Sequence, residues 1–386
     1  MRTAPCGAEV PIVWRGRQAR AFVPLPLAER ELRLSPATAA RAAAASAEVE
    51  AGAASLGAGY EGLARLLLRA EGLASSSIEG VLAGVLDVVV AEGAPEAARS
   101  PATWVAANLA AVTDALTAAP EPLSVTRLRD WHRTLMAGSP LPGRFVGVVR
   151  DEQGWIGGTS PLDAALVTPP PDRLGELLDD LVAYANRRDV DPVAQAAIAH
   201  AQFEIIHPFT DGNGRIGRVL VSWLLSRRLA LVVPPPVSTG LAADRDGYLA
   251  GLSLFRLGQH DRWVSWFAYV AGGAGAAEVA LVRAVDELQA RWRRRLARPR
   301  DGRALRRDAL AWRVLDLLPR HLVLTAGLVA QELGGTARAA ANALAELVDA
   351  GVLEEHPVDV PAVRGRPPRR YVSPELLAVA RAGPAP

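Results

Sequence analysis

Residues 207–218 read HPFTDGNGRIGR, twelve positions crowded with polar specialists between two apolar helical patterns. Upstream, Val193, Ala196, Ala197, His200 and Glu204 fall at helical spacing over about 192–206. Downstream, RVLVSWLLSRRL is a strongly apolar helical run. Asp-Gly and Asn-Gly are turn dipeptides, so the stretch should be a tight connection. Alternating glycines let backbone amides converge into a concave, anion-holding surface. A helix starting near Arg215 would aim its positive end at the same spot. Arg215 and Arg218 stand one turn apart, so both guanidinium groups can reach one ligand. Asp211 offers hard oxygen for Mg²⁺. His207 is the natural proton acceptor, since an unperturbed imidazole titrates near about 6.5. A base, a metal ligand, an anion cradle and two arginine forks are the parts of a nucleotide-phosphate site. An ordinary turn could explain any one of these residues, but not the whole set.

The rest of the chain narrows the choice. With 386 residues, half of them apolar, two or three domains are expected. All 43 basic residues are arginine, which excludes a Gly-Lys-Ser/Thr phosphate loop and a Schiff-base lysine. Phosphate must be held by arginine, backbone amides or a metal. Net charge is +2, too small for the whole molecule to be a polyanion binder. The charge is uneven: arginines 291, 293, 294, 295, 298, 300, 303, 306, 307 and 313 face only Asp301 and Asp308. That run reads as a solvated helical linker, or as a contact for nucleic acid or an acidic partner. Cys6 is the single cysteine, which excludes disulfide frameworks and thiolate zinc sites and suits a reducing cytoplasm. No signal-peptide core and no uncharged apolar run of bilayer length is evident, so a cytoplasmic protein with no membrane contact is expected.

Along the chain, residues 1–30 look irregular and 36–75 helical. Residues 143–170 break the helical pattern with glycines and prolines around short apolar pieces, which predicts a small β-hairpin. Helices resume over 172–186, 192–206 and through about 290. Beyond 305 come three short helical patterns, opened at Thr325 and Thr336 for the last two. A short strand, the basic loop RGRPPRR and YVS follow. Three helices and a β-wing make a winged helix-turn-helix pattern, which could reach DNA through Arg338 and through Arg364, Arg366, Arg369 and Arg370.

The 207–218 stretch resembles the signature of the Fic (Fido) family, His-x-Phe-x-Asp/Glu-Gly-Asn-Gly-Arg-x-x-Arg, at every fixed position. AHAQFEIIHPF, GRFVGVVRDEQGWIGG and DRDGYLAGL resemble flanking parts of the same core, over about residues 100–270. The resemblance implies a mainly α fold: an N-terminal helical region (1–98), a Fic α-helical core with a small β-hairpin flap (99–275), a helical basic linker (276–304) and a winged-helix domain (305–386). It implies a protein adenylyltransferase. His207 would deprotonate a Ser, Thr or Tyr hydroxyl of a target protein, and that oxygen would attack the α-phosphate of ATP. Asp211 would hold Mg²⁺ or Mn²⁺. Gly212, Asn213 and Gly214 would form the anion hole, Arg215 would hold the inner phosphates and Arg218 the γ-phosphate. Phe209 would anchor the loop and Tyr248 would lie near the adenine. Trp155, Ile156, Gly157 and Gly158 would pair with an extended target segment. Upstream, SSSIEG resembles the family's inhibitory Ser/Thr-x-x-x-Glu motif. Ser75 and Glu79, four apart on a helix, would block the site, with Glu79 paired to Arg218 in place of the γ-phosphate. A homodimer is a further expectation.

Three alternatives stay open. The site could remove AMP or transfer another phosphate-linked group. The chain could be a DNA-binding regulator that uses the core as a nucleotide sensor. His200, Glu204 and His207, at i, i+4 and i+7, could ligate zinc. His132, His260, His321 and His356 carry no assignment.

Overall fold

The computed structural model describes residues 6–30, 32–57, 60–93, 100–299, 304–356 and 369–382. The chain opens with an antiparallel hairpin, β1 (Gly7–Trp14) and β2 (Arg17–Pro24), where an irregular segment was expected. Its two-residue turn places Arg15 and Gly16 at φ 47° and 79°, the mirror-image turn that matches strand twist. Arg-Gly is a weak turn signal, which is why the pattern escapes notice in the sequence.

Helices follow: α1 (Pro36–Ala54), α2 (Tyr60–Ile78), α3 (Val85–Gly93), α4 (Pro101–Thr117) and α5 (Val125–Leu135). Their starts are chemically marked. Ser35, Ser100 and Ser124 each accept a hydrogen bond from a backbone amide three residues on, and proline stands in the first turn of α1 and α4. The expected hairpin is present, but its paired part is short: β3 (Trp155–Ile156) and β4 (Leu166–Val167). Next come α6 (Leu174–Ala185), α7 (Pro192–Ile206), α8 (Asn213–Leu229), α9 (Val237–Ala243), α10 (Arg245–Arg256) and α11 (His260–Leu296).

In α7 every residue from Val193 to Ile206 is buried, and α8 is buried from Arg215 to Ser226. A helix buried on all sides belongs at the centre of a bundle. These two therefore form the middle of the larger core, with Trp131, Trp223 and Trp263 packed around them. The loop that joins them carries the HPFTDGNGRIGR signature.

α11 is long and apolar enough to span a bilayer by length and composition, and its N-terminal half packs in this core. It also crosses the expected boundary at 275 without a break. Leu281, Val285, Leu288, Trp292 and Leu296 on its distal half are buried in a second core. Glycine and alanine let it lie close to α1: a Cβ on Gly52 would stand 2.7 Å from the Gly275 carbonyl.

The second core belongs to α12 (Leu310–Leu317), β5 (Val323–Leu324), α13 (Ala326–Leu333), α14 (Ala337–Asp349), β6 (Glu354–His356), β7 (Arg370–Val372) and α15 (Pro374–Ala382). The strands form an antiparallel sheet in the order β5-β7-β6. Arg364 and Arg366 of the basic loop, and Arg300 and Arg303 of the arginine run, lie outside the described residues. Within the run, Arg293 pairs with Asp316, while Arg291 and Arg295 reach Glu375. Part of that charge therefore serves intramolecular contacts. Leu63, Leu66 and Leu67 of α2 lie in this same core, so α2 joins the C-terminal module to the rest of the protein.

Candidate active site

The chain leaves α7 through His207, which adopts the left-handed conformation (φ 50°, ψ 60°) while its amide donates to the Phe203 carbonyl at 2.9 Å. Pro208 prevents the helix from continuing. Phe209, 1% exposed, anchors the turn in the core. Asn213 closes it: its Oδ1 accepts from the Phe209 amide at 2.9 Å, and its Nδ2 donates to the Phe209 carbonyl at 2.8 Å. The Asn213 side chain is committed to the loop, so only its backbone amide can contribute to an anion hole. Gly212 sits at φ 79°, and a Cβ there would meet Met136 Sδ at 2.9 Å. Both space and conformation demand glycine.

α8 starts at Asn213 with no side chain capping it. The amides of Asn213, Gly214 and Arg215 thus have no acceptor within the helix, and the positive end of its dipole is open. Arg215 is buried, with its Nε unpartnered and Nη2 against Met136 Sδ at 3.7 Å. Among the described residues no carboxylate lies within ion-pair distance of it. A buried guanidinium beside an uncapped helix start calls for an anion.

His207 donates from Nδ1 to the Glu204 carbonyl at 3.3 Å, which leaves Nε2 as the proton acceptor. Burial, and then the nearby Arg150 cation, pull its pKa down to about 4. The imidazole is therefore neutral at pH 7, as a general base must be. Asp211 is exposed and accepts one hydrogen bond, from the Gly212 amide at 2.6 Å.

Arg218, 2% exposed, is held from three sides. Its Nε donates to Ser75 Oγ at 2.9 Å and its Nη2 to the Ser75 carbonyl at 2.7 Å. Nη2 also donates to Glu79 Oε1 at 2.8 Å, and Nη1 to Tyr248 Oη at 3.4 Å. Burial pushes the Glu79 carboxyl up, but the Arg218 charge and hydrogen bond outweigh it and hold the pKa below the usual glutamate range. A Cβ on Gly214 would collide with Glu79 Oε1. The Glu79 carboxylate thus lies over the open start of α8, where an anion would sit. α2 ends at Ile78 and Gly80 turns the chain at φ 77°. Ser75 and Glu79 therefore do not simply stack on one helical face: Ser75 grips the arginine itself, and Glu79 reaches in from just past the helix end.

Tyr248, expected near the adenine, lies in the core behind Arg218. It is 2% exposed and its hydroxyl bonds His200 Nε2 at 2.9 Å as well as Arg218, so it supports the arginine from the core. The zinc alternative does not assemble. His200 Nδ1 is 3.9 Å from Glu204 Oε1, and among the described residues no group of three metal-ligating side chains forms. Burial drives His200 down to about 3 and Glu204 up to about 8, so both are neutral at pH 7.

Two unassigned residues prove structural to the site. His132 stacks on Phe209 with centroids 4.0 Å apart, accepts from the Gly147 amide at 2.8 Å on Nδ1, and donates from Nε2 to the Asp211 carbonyl at 3.0 Å. Arg150 ties the hairpin to the loop. Nothing in local spacing flags His132 or Arg150, which stands at the polar end of FVGVVRDEQ. On the hairpin, Gly157 and Gly158 sit at φ 70° and 71°, and Trp155 packs edge-on against Trp14 at 5.4 Å. Ile156 is half-buried.

Residues 122–225 match the family model described as the Fic/DOC family. Over that stretch the chain is similar to a Fic domain. Protein adenylyltransferase fic-1 of Caenorhabditis elegans is 31% identical over 150 residues, 38% of this chain and 27% of that protein. Protein adenylyltransferase Fic of Drosophila erecta is 33% identical over 109 residues, 27% of this chain and 20% of that protein. The chain thus spans about a quarter of the length of these curated relatives. A Fic family protein from Desulfovibrio desulfuricans G20 shares the fold, with a TM-score of 0.53 at 21% identity over 88% of this chain and 97% of that one.

Proposed function

We propose that the Fic domain of this chain is a protein adenylyltransferase held inactive by Glu79. The carrying observation is the buried Arg215, whose Nε has no partner, beside the uncapped start of α8, with the Glu79 carboxylate over that start. The resemblance to proteins named protein adenylyltransferase supports the choice of ATP as donor.

The residues suit the following steps. A hydroxyl of a target protein gives its proton to His207 Nε2. Its oxygen bonds to the α-phosphorus of ATP, and the bond from that phosphorus to the bridging oxygen of the β-phosphate breaks. Pyrophosphate leaves with the electron pair, and AMP stays on the target side chain. Arg215 and the amides of Gly214 and its neighbours face the charge that builds on the phosphates. Catalysis then rests on positioning and electrostatics rather than on covalent work by the protein. Asp211 fits a Mg²⁺ or Mn²⁺ ion, since one exposed carboxylate plus substrate phosphates and waters is a usual way to hold Mg²⁺. The ion would neutralise phosphate charge.

Glu79 and a γ-phosphate cannot share one guanidinium fork. Release then requires the end of α2 to leave Arg218, a two-state equilibrium. We read residues 305–386 as a winged-helix module that docks protein. The charged residues of α14 are Arg338, Glu346 and Asp349, a poor match for a polyanion.

The test is label transfer from α-labelled ATP with Mg²⁺ or Mn²⁺. Glu79→Gly should label itself or proteins of a host lysate far more than the parent does. Absence of any transfer by Glu79→Gly, across ATP and a panel of other nucleotides, would refute the reading. Transfer from a different nucleotide alone would redirect the donor assignment.

A further inference from the structure

The hairpin and the base are joined by one buried side chain. Arg150 donates from Nε to the His207 carbonyl at 2.8 Å and from Nη1 to the Glu152 carbonyl at 2.7 Å. Its Nη2 reaches Thr168 Oγ1 at 2.9 Å, the Pro169 carbonyl at 2.7 Å and the Ile206 carbonyl at 3.4 Å. Its own amide donates to the Pro208 carbonyl at 2.9 Å. Glu152 precedes β3, and Thr168 and Pro169 follow β4, so the guanidinium grips the foot of both strands. Its remaining acceptors, at 206 and 207, bracket the left-handed turn that aims the imidazole. Among the described residues no carboxylate pairs with it, and burial lowers its pKa to about 10, which leaves it cationic at pH 7.

A second observation shows that the surroundings are built for this side chain. A Cβ on Gly154 would stand 2.8 Å from Thr168 Oγ1 and 2.9 Å from Arg150 Nε. Gly154 has no positive φ to explain the absence of a side chain. It is small because the guanidinium passes there.

We propose that Arg150 is a positioning residue that couples the hairpin to His207, so that the segment that would align a target and the imidazole that would take its proton are held as one unit. This rests on the reading of His207 as the base. Only a planar fork satisfies acceptors in this many directions; a lysine ammonium would keep the charge and lose most of the grip. Charged groups face His207 from three elements. Arg150 of the hairpin segment favours the neutral ring, while Glu79 at the end of α2 and Asp211 of the loop favour the protonated one.

The experiment compares Arg150→Met, Arg150→Lys and Gly154→Ala, each in the Glu79→Gly background. It reads MgATP affinity, AMP label transfer, and the titration of His207 by NMR of ring-labelled histidine. For Arg150→Met, MgATP affinity should stay within about threefold, and transfer should fall by roughly tenfold or more, as for a misplaced catalytic group. The His207 midpoint should rise above its value in Glu79→Gly alone, while staying below the ordinary histidine range because burial, the larger cause of its depression, remains. Arg150→Lys should keep the low midpoint yet lose transfer. Gly154→Ala should lose transfer with Arg150 intact, which covers the case where Arg150→Met fails to fold. Unchanged transfer and an unchanged midpoint, with only a lower melting temperature, would overturn the proposal. If Glu79→Gly transfers nothing but the midpoint still rises in Arg150→Met, the coupling stands and the adenylyl-transfer reading falls.

Discussion

The two halves of α2 do opposite kinds of work. Its N-terminal half is an apolar seat: Leu63, Leu66 and Leu67 are buried in the core shared with the C-terminal module. Gly62 allows that approach, since a Cβ there would come 2.8 Å from Pro319. Its C-terminal end is a polar latch: Ser75 and, just beyond the helix, Glu79 hold one arginine through three hydrogen bonds. Apolar contact is non-directional and scales with area, so the seat supplies stability. Charge-assisted hydrogen bonds are directional and can be exchanged for a phosphate's, so on the proposed reading the latch would supply control. One rigid helix thus links a module far along the chain to the mouth of the site.

That contrast can be broken or sharpened by experiment. The largest effect should come from the group the latch guards. In the Glu79→Gly background, His207→Ala should lower label transfer by roughly 10²–10⁴-fold, the usual worth of a positioned base. Next in size is the seat. Leu67→Ala should destabilise the fold by about 2–5 kcal/mol in denaturant titration, the cost of a core cavity. An unchanged midpoint would mean that the seat is not a true core.

The latch itself comes third. Glu79→Gly should raise transfer by about 10–100-fold with little loss of stability, as expected for about 1.4–2.7 kcal/mol of bias. Acidity gives an independent check. The Glu79 pKa is depressed in the latched state, so its contribution is complete above the ordinary glutamate range and is lost as pH falls through the lowered value. His207 protonates only near about 4. Glu79→Gly also removes a carboxylate that favours the protonated ring, so the acid limb of kcat/KM in that variant should lie at or below about pH 4; a limb near about pH 6.5, the ordinary histidine value, would mean that His207 is not in the environment described. The smallest effect belongs to the surface. Arg320 pairs with Glu61 at 3.0 Å on the rim of the seat. Glu61→Gln should cost less than about 1 kcal/mol, as exposed pairs do.

The central helices and their loop were legible in the chain because each signal there is local. Turn glycines, a helix-stopping proline and arginines one turn apart carry their meaning within twelve residues. The latch was legible only as a resemblance, because Ser75 and Glu79 act on an arginine 143 and 139 positions away. The hydroxyl contacts of Tyr248 with His200 and Arg218 were not legible for a related reason: a helical aromatic declares its type but not which face the bundle will bury. The N-terminal hairpin was missed because Arg15-Gly16 is an unusual turn pair and Pro11 weakens the strand pattern.

Sequence by itself determined the chemistry available: one imidazole, one carboxylate, a glycine turn and two guanidiniums, with no lysine to offer another route. Tertiary structure decided how each is used. It set Asn213 to closing the loop, His132 to bracing it and Arg150 to joining hairpin and base. It also laid Glu79 over the open end of α8. Backbone propensities act over a turn or two, whereas burial and partner choice depend on which distant surfaces meet, and only the packed fold settles that.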